Sequence, residues 1–363
     1  MSARCGAHTR LAMGLLDWLL GVNDEATGGE VAADILEQRT EQVVAMVDPR
    51  LKLVPGYQRK LAPSVERSVL YCRELEAQLP PVIETSAAAW PGNPLLRALF
   101  ATAQDIPSIF SRSPEVQQFF VDSPGAEETW AMLRFVRSEE KGFGVAVHGS
   151  VVQHDVPRTS VSFGDKAVVF PCTSEHEARI GIRRRAFKFL VTQALEQIAS
   201  VDTQRTDLQE QHSMLRARLS ILKGQRIGLE AALGNGEAAS DKIEEVERKL
   251  AENEQSLAKF PGVGEGLEYA MGRVQDVLSH ASDYLQVRTV KLRLDQMNVL
   301  VPDGSAEPAT EIALPEVLVR GKPVINLLAC RFARRDLIRR GQLLDEAQRL
   351  LDCAPSGPGQ SAM

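Results

Sequence analysis

Between Phe187 and Leu285, apolar residues recur at alternating steps of three and four along the chain. A first run collects Phe187, Val191, Ala194, Ile198, Val201, Leu208, Leu215, Leu219, Leu222, Leu229 and Leu233. After Gly234-Asn235-Gly236 the pattern resumes with Ile243, Val246, Leu250, Leu257, Phe260, Leu267, Met271, Val274, Leu278, Ala281 and Leu285. Only Arg205, His212, Arg226, Asn253 and Gly264 interrupt the stripe. A heptad spacing sustained over this length predicts helices that shield one stripe against another. The seam is expected at Leu208, Leu215, Leu222, Leu229, Ile243, Val246, Leu250 and Leu257.

The glycines at 234 and 236 admit the positive φ that stops a helix, and Ser240 can cap the next one. A tip as short as residues 234–240 predicts an antiparallel pair, a coiled-coil hairpin. Mirroring about Gly236 sets Leu222 against Leu250 and Leu215 against Leu257. Unbroken arms of about 45 residues would reach roughly 70 Å. Pro261-Gly262-Val263-Gly264 is expected to bend or break the second arm, since proline removes a backbone donor and glycine is a poor helix former.

Elsewhere the pattern has a different character. Helical spacing predicts helices over Val31–Val47, Ser64–Gln78, Pro94–Ala103, Pro114–Val121 and Ala126–Ser138, two of them opened by Asn93-Pro94 and Ser113-Pro114. Leu96, Leu99, Phe100, Ile106, Phe110, Phe120, Leu133 and Phe135 form the expected core of that region. From Gly142 the chain turns rich in Val and Phe, predicting strands over 143–153, 159–163 and 166–170 with a tight turn at Gly164-Asp165. Alternation of Val290, Leu292 and Leu294 with charged residues opens a second strand block, followed by strands at 298–301, 311–319 and 323–329. A final helix is predicted from Phe332 to Leu351.

The fold class that follows is α+β and predominantly helical. Residues 1–30 form a flexible or amphipathic N-terminus, 31–140 a helical domain, and 141–186 with 288–352 a strand-rich base. Residues 187–287 form the hairpin that interrupts the base, and 353–363 a disordered tail.

Composition narrows the picture. Aromatics make up only 5% of the 363 residues, which argues against a barrel or sandwich rich in ring packing. Net charge is −6, so the chain as a whole presents no polyanion-binding field. Five scattered cysteines, none in a C-x-x-C pair, suit a reducing compartment and offer no familiar zinc site. Arg4, Arg10 and the run Leu11–Leu20 resemble a signal peptide, but Asp17 interrupts the run; Met13 is an alternative start. A cytoplasmic protein is expected, with peripheral membrane contact through this run as the variant.

Candidate chemistry is sparse. Gly144–Ser150 has the outer spacing of a phosphate loop but carries Ser150 in place of the lysine. Gly262-x-Gly264-x-Gly266 follows a helix and lacks the strand of a dinucleotide fold. His148, His154 and Asp155 lie close in sequence without a third metal ligand at helical or hairpin spacing. No catalytic, cofactor or metal residue is therefore assigned, and no cofactor is expected.

Two basic clusters stand against the acidic average: Arg183, Arg184, Arg185 and Lys188, and Arg334, Arg335, Arg339 and Arg340. They form a candidate anion-binding patch, weighed against ion pairing on solvated faces. The leading expectation is a structural or adaptor protein without enzymatic activity, presenting its coiled-coil arm to a protein partner; self-association through the seam is the competing arrangement. Nucleic-acid or acidic-membrane binding through the arginines is the second reading, and an enzyme built around His148 and His154 the third.

Overall fold

A computed structural model describes residues 31–148, 151–233, 237–260, 262, 265–305 and 307–338; for 145–148, 151–154, 226–233 and 237–240 only the backbone is described. The described chain is mixed α+β and leans helical, with eight α-helices and one curled antiparallel sheet. The helices are α1 (Ala33–Val47), α2 (Tyr57–Ala77), α3 (Pro94–Leu99), α4 (Asp105–Arg112), α5 (Pro114–Asp122), α6 (Glu175–Leu233), α7 (Glu237–Leu257) and α8 (Gly266–Ser279). The strands are β1 (Ile83–Glu84), β2 (Glu128–His148), β3 (Val151–Cys172), β4 (Leu285–Leu294), β5 (Thr310–Val319) and β6 (Ile325–Ala333).

The chain divides into two units, one made of residues up to 70 with 187–281, the other of 71–186 with the residues from 282. The first is helical. Its core holds Val43, Val44, Leu51, Leu61, Val65, Leu190, Val191, Met271, Val274 and Leu278. Polar ties fasten its helices: Gln275 donates to the Lys60 carbonyl at 2.7 Å and Ser279 to Ser64 at 3.0 Å. Glu41 on α1 pairs with Lys52 at 2.7 Å.

The second unit is built on the sheet, in strand order β3-β2-β6-β5-β4, with β1 lying parallel to β6. Residues 298–301 join its two edges. The Val161 and Leu300 amides bond across to the Asn298 and Thr159 carbonyls, both at 2.8 Å, while Val301 donates to the Arg293 carbonyl at 2.9 Å. The enclosed core gathers Leu133, Phe135, Phe163, Leu292, Leu314, Leu328 and Phe332 from the strands and Leu96, Phe100, Ile106 and Phe110 from α3, α4 and their links. Phe110 stacks on Phe332 at 4.6 Å and Phe135 meets Phe163 edge-on at 5.8 Å. Few as they are, the aromatics are concentrated here, so the low average conceals a ring-packed curled sheet.

The small helices start where their caps dictate. Asn93 accepts from Leu95 N at 3.0 Å ahead of Pro94, and Ser113 from Val116 N at 3.3 Å ahead of Pro114. Ser113 also donates to the Val168 carbonyl at 2.9 Å, fixing the start of α5 to β3.

Several expectations are corrected. Residues 31–140 are not one helical domain: the expected helix Ala126–Ser138 is the first part of β2. Thr129, Ala131, Leu133 and Phe135 are all buried at a period of two, and Met132 is buried between them, giving a run too evenly apolar to reveal its period. Gly164-Asp165 is no turn but an interior part of β3, whose ladder with β2 extends to the pair His148 and Val151. Phe332 and Ala333 end β6, followed by a short 3₁₀ turn at Arg334–Asp336, so the predicted last helix does not begin there; 339–351 lie outside the described residues. Leu285, the last member of the heptad stripe, opens β4.

Three one-residue register shifts interrupt the β2–β3 ladder, at Trp130/Met132, Arg134/Val136 and Gly144/Ala146. Each places the extra residue in β3, and each coincides with a non-glycine residue at positive φ: Phe170 at 59°, Asp165 at 47° and Asp155 at 60°. These are β-bulges, which add twist and bend the strand that carries them. β6 leaves β2 at Phe135, so beyond that point β2 pairs with β3 alone, as a two-stranded ribbon.

Candidate functional site

Along α6, the residues with reduced exposure between 201 and 225 are Val201, Arg205, Leu208, His212, Leu215, Leu219 and Leu222, with every position between them exposed. Along α7 the shielded positions are Ile243, Val246, Leu250, Asn253, Ser256 and Leu257; Ile243, Val246 and Asn253 are buried. Cross-ties join the two helices in antiparallel sense. Lys223 meets Glu247 at 2.8 Å, Arg216 reaches Glu254 at 3.9 Å, and His212 Nε2 lies 3.1 Å from the same carboxylate. Asn253 Nδ2 donates to the Leu208 carbonyl at 3.2 Å, while its Oδ1 is buried with no hydrogen-bond partner among the described residues. The mirror about Gly236 would set Lys223 against Lys249 and Arg216 against Ser256, so the observed ties stand about two residues from it. Leu229 and the helix ends flanking the tip lie outside the described side chains. α7 ends at Leu257 and α8 begins at Gly266, so the second run is broken around Pro261.

The arginines expected to form one anion-binding patch are engaged in separate tasks. Arg334 donates to the Pro124 carbonyl at 2.5 Å and to the Phe120 carbonyl at 3.3 Å, and its guanidinium lies 5.5 Å from the Phe120 ring centroid. It thereby satisfies carbonyls at the end of α5, a helix terminus that would otherwise lack donors. Arg185 lies 3.6 Å over the ring of Phe170, beside a β3 bulge. Arg183 and Arg184 are partly shielded, whereas Arg335 is 78% exposed and 3.8 Å from Asp336. Lys188 belongs to the other unit, and Arg339 and Arg340 lie outside the described residues. Arg335 and Arg331 border an open hollow of about 810 Å³ together with Glu84, Ser86, Glu127 and Glu128. Arg331 is already paired with Glu84 at 3.3 Å and Glu128 at 3.6 Å, so the hollow is of mixed charge.

The histidine region offers less. Asp155 is exposed and sits in a bulge, while the side chains of His148 and His154 lie outside the described residues. Burial pushes the Cys172 thiol up to about 11, with Glu177 acting in the same direction, and its sulfur donates to the Trp130 carbonyl at 3.0 Å. Cys330 is fully buried and raised further by desolvation. Neither thiol is poised as a thiolate nucleophile. Among the described residues no group of three His, Cys, Asp or Glu side chains is placed to hold a metal ion, and no helix is long and apolar enough to cross a membrane.

Two constellations escaped the sequence reading. Glu316, with 2% of its side chain exposed, is gripped from both sides: Arg137 of β2 at 2.9 Å and Arg288 of β4 at 2.8 Å. Asn326 of β6 is equally buried, so the neighbouring strands β2, β6, β5 and β4 each give one polar residue at this level of the sheet. The signal was parity: Glu316 continues the inward series Ile312, Leu314, and Arg288 the series Leu294, Leu292, Val290. The second is Arg158, which pairs with Glu307 at 3.0 Å and lies across Gly144, where a Cβ would stand 2.7 Å from its Cδ.

Comparison with protein-family models yields no match, and neither does comparison with curated protein sequences. What fold and site define together is a mixed α+β protein whose curled sheet unit is accompanied by a helical unit carrying the long α6 and its partner α7.

Proposed function

We propose that this is a structural or adaptor protein, without enzymatic activity, that uses α6 and α7 as a coiled-coil arm for binding another protein. The observation that carries the reading is the spacing of shielded positions on α6 and α7, a heptad stripe flanked on both sides by exposed residues. A pair of helices that shields only its seam leaves long flanks for a further helix, the geometry of helix-in-groove recognition. Its 59 residues make α6 roughly 88 Å long, far more than a small unit needs to close its core. The arginine patch is the weaker reading, because Arg331, Arg334 and Arg185 already have partners.

The test uses the whole chain with a photo-reactive phenylalanine analogue placed at exposed arm positions, Gln209, Ala217 or Arg248, and at Val121 or Phe143 on the sheet unit. The adaptor reading expects a cross-linked protein from the arm positions. Cross-links only from the sheet unit reject it.

A further inference from the structure

Beyond Phe135 the strand β2 has an open edge, and the order of its charges fits a second copy of itself. On β3 the Val161 amide and the Thr159 carbonyl bond to the segment 298–301, so these residues turn their backbone groups away from β2. Arg158, Ser160 and Ser162 therefore turn theirs toward it, opposite Gly142, Glu140 and Ser138. The backbone groups of Arg137, Glu139, Lys141 and Phe143 then point to the other side, which β6 has left at Phe135. Among the described residues no backbone group pairs with them there. Such a row is a template for another strand unless its charges forbid the pairing.

The side chains of these four residues share one face of the ribbon. Within its own chain Glu139 lies 3.5 Å from Arg137, which Glu316 holds more closely at 2.9 Å. Lys141 makes no ion pair among the described residues, and Phe143 is 78% exposed beside it. A two-fold axis perpendicular to the sheet would pair this edge with itself in antiparallel sense. Centred on Glu140, it sets Glu139 of each copy opposite Lys141 of the other, with their open backbone groups meeting. It also brings Phe143 over Arg137 of the second copy, a cation–π contact that covers the ring. Centring on Glu139 or on Lys141 instead puts a like pair at the axis, and the former also sets Arg137 against Lys141. Opposite charges across the strands thus select one register. On the other face Ser138 meets Gly142, and Glu140 meets its own copy at the axis, the one repulsion in this arrangement. Arg158, the next charge on that face, is already paired with Glu307 at 3.0 Å.

We infer that the open edge of β2 is a homodimer interface, in which two copies join their sheets by an antiparallel β2–β2 pairing centred on Glu140. So short an edge makes a concentration-dependent dimer and not an obligate one.

Sedimentation equilibrium of the full chain over a concentration series is expected to show monomer and dimer together. Glu139→Lys or Lys141→Glu alone should weaken the dimer about tenfold, since each turns two opposite pairs into like ones. Combining the two substitutions should restore it, and Glu140→Gln should tighten it. These side chains are exposed, so circular dichroism should stay unchanged throughout. Glu140→Cys gives a direct readout, in a chain also carrying Cys5→Ser and Cys353→Ser. In this register the two Cα atoms at 140 stand about 4.5 Å apart, within disulfide reach, and mild oxidation should link the copies. A monomer at every concentration overturns the inference. So does a dimer indifferent to both single substitutions, or one that the combination fails to restore. A dimer that forms without the link at 140 has another interface and overturns it equally.

Discussion

At Gly144 an added side chain would meet only the aliphatic part of Arg158, which crosses the position on its way to Glu307. Gly144→Ala must push that arginine aside and loosen the partly exposed Glu307 pair, an expected loss within about 1 kcal/mol in thermal unfolding. In an Arg158→Ala background the same substitution should cost almost nothing, and the double-mutant cycle measures the difference. Glu316 presents the harsher case. Removing it as Glu316→Ala leaves the shielded Arg137 guanidinium only the longer contact to the more exposed Glu139 at 3.5 Å, with an expected loss of about 3 kcal/mol in urea titrations. Arg288→Ala should cost far less, because that side chain is 57% exposed and water can replace its contact with Glu316, within about 1 kcal/mol. Cys172 and Cys330 should resist iodoacetamide at pH 8 in the folded protein and react once it is unfolded, since burial raises both thiols.

At the scale of elements, the bulges of β3 and the buried Asn253 are the features open to test. Asp165 holds φ at 47°, a region that aspartate tolerates and alanine does not. Asp165→Ala is expected to destabilise by about 1–2 kcal/mol while Asp165→Gly is tolerated, read from denaturant midpoints. Asn253 holds a buried oxygen without a partner in the apolar seam, so Asn253→Leu should raise the melting temperature and loosen the register that its bond to Leu208 defines. Spin labels at 222 and 250 would show that loosening as a broadened distance distribution.

These elements also show what was readable beforehand. The α+β class with a helical majority followed directly from periodicity, because helical and strand spacings differ and most segments are long enough to display one. The stripe on α6 was visible for the same reason: Leu208, Leu215 and Leu222 stand at one side of a regular helix whatever surrounds it. β2 was hidden because Trp130, Met132 and Val136 on one face and Ala131, Leu133 and Phe135 on the other are apolar, with only Arg134 to mark the exposed side. The bulges were illegible, since Asp155, Asp165 and Phe170 carry the positive φ that glycine would have advertised. The Glu316 cluster brings together residues 137, 288, 316 and 326, whose proximity depends on strand order and not on spacing.

For the molecule as a whole, acid should act first on the helical unit. Glu41 is held below the ordinary carboxylate range mainly by Lys52, with Tyr57 assisting, and Asp48 by Arg50. A carboxyl lowered in the folded state contributes stability above its unfolded pKa, and that contribution disappears as pH falls through the folded value. Proteolysis between pH 7 and 3 is therefore expected to expose cuts near α1 and its following turn as the carboxyls protonate, while the raised Lys52 and Tyr57 of the same cluster lose their contribution only in strong alkali. A net charge of −6 at neutral pH becomes positive over the same range, adding self-repulsion.

The interleaving of the two units bears on how the chain is made. Residues 71–186 stand between the halves of the helical unit, so its first half leaves the ribosome well before the strands of helix that complete its core. At about 5–20 residues per second that interval is roughly 6–23 s. The sheet unit waits in turn, because β4, β5 and β6 are translated only after α6, α7 and α8. Val43, Val44, Leu61 and Val65 thus wait on the nascent chain, without the residues that bury them, until the later half of their unit is translated.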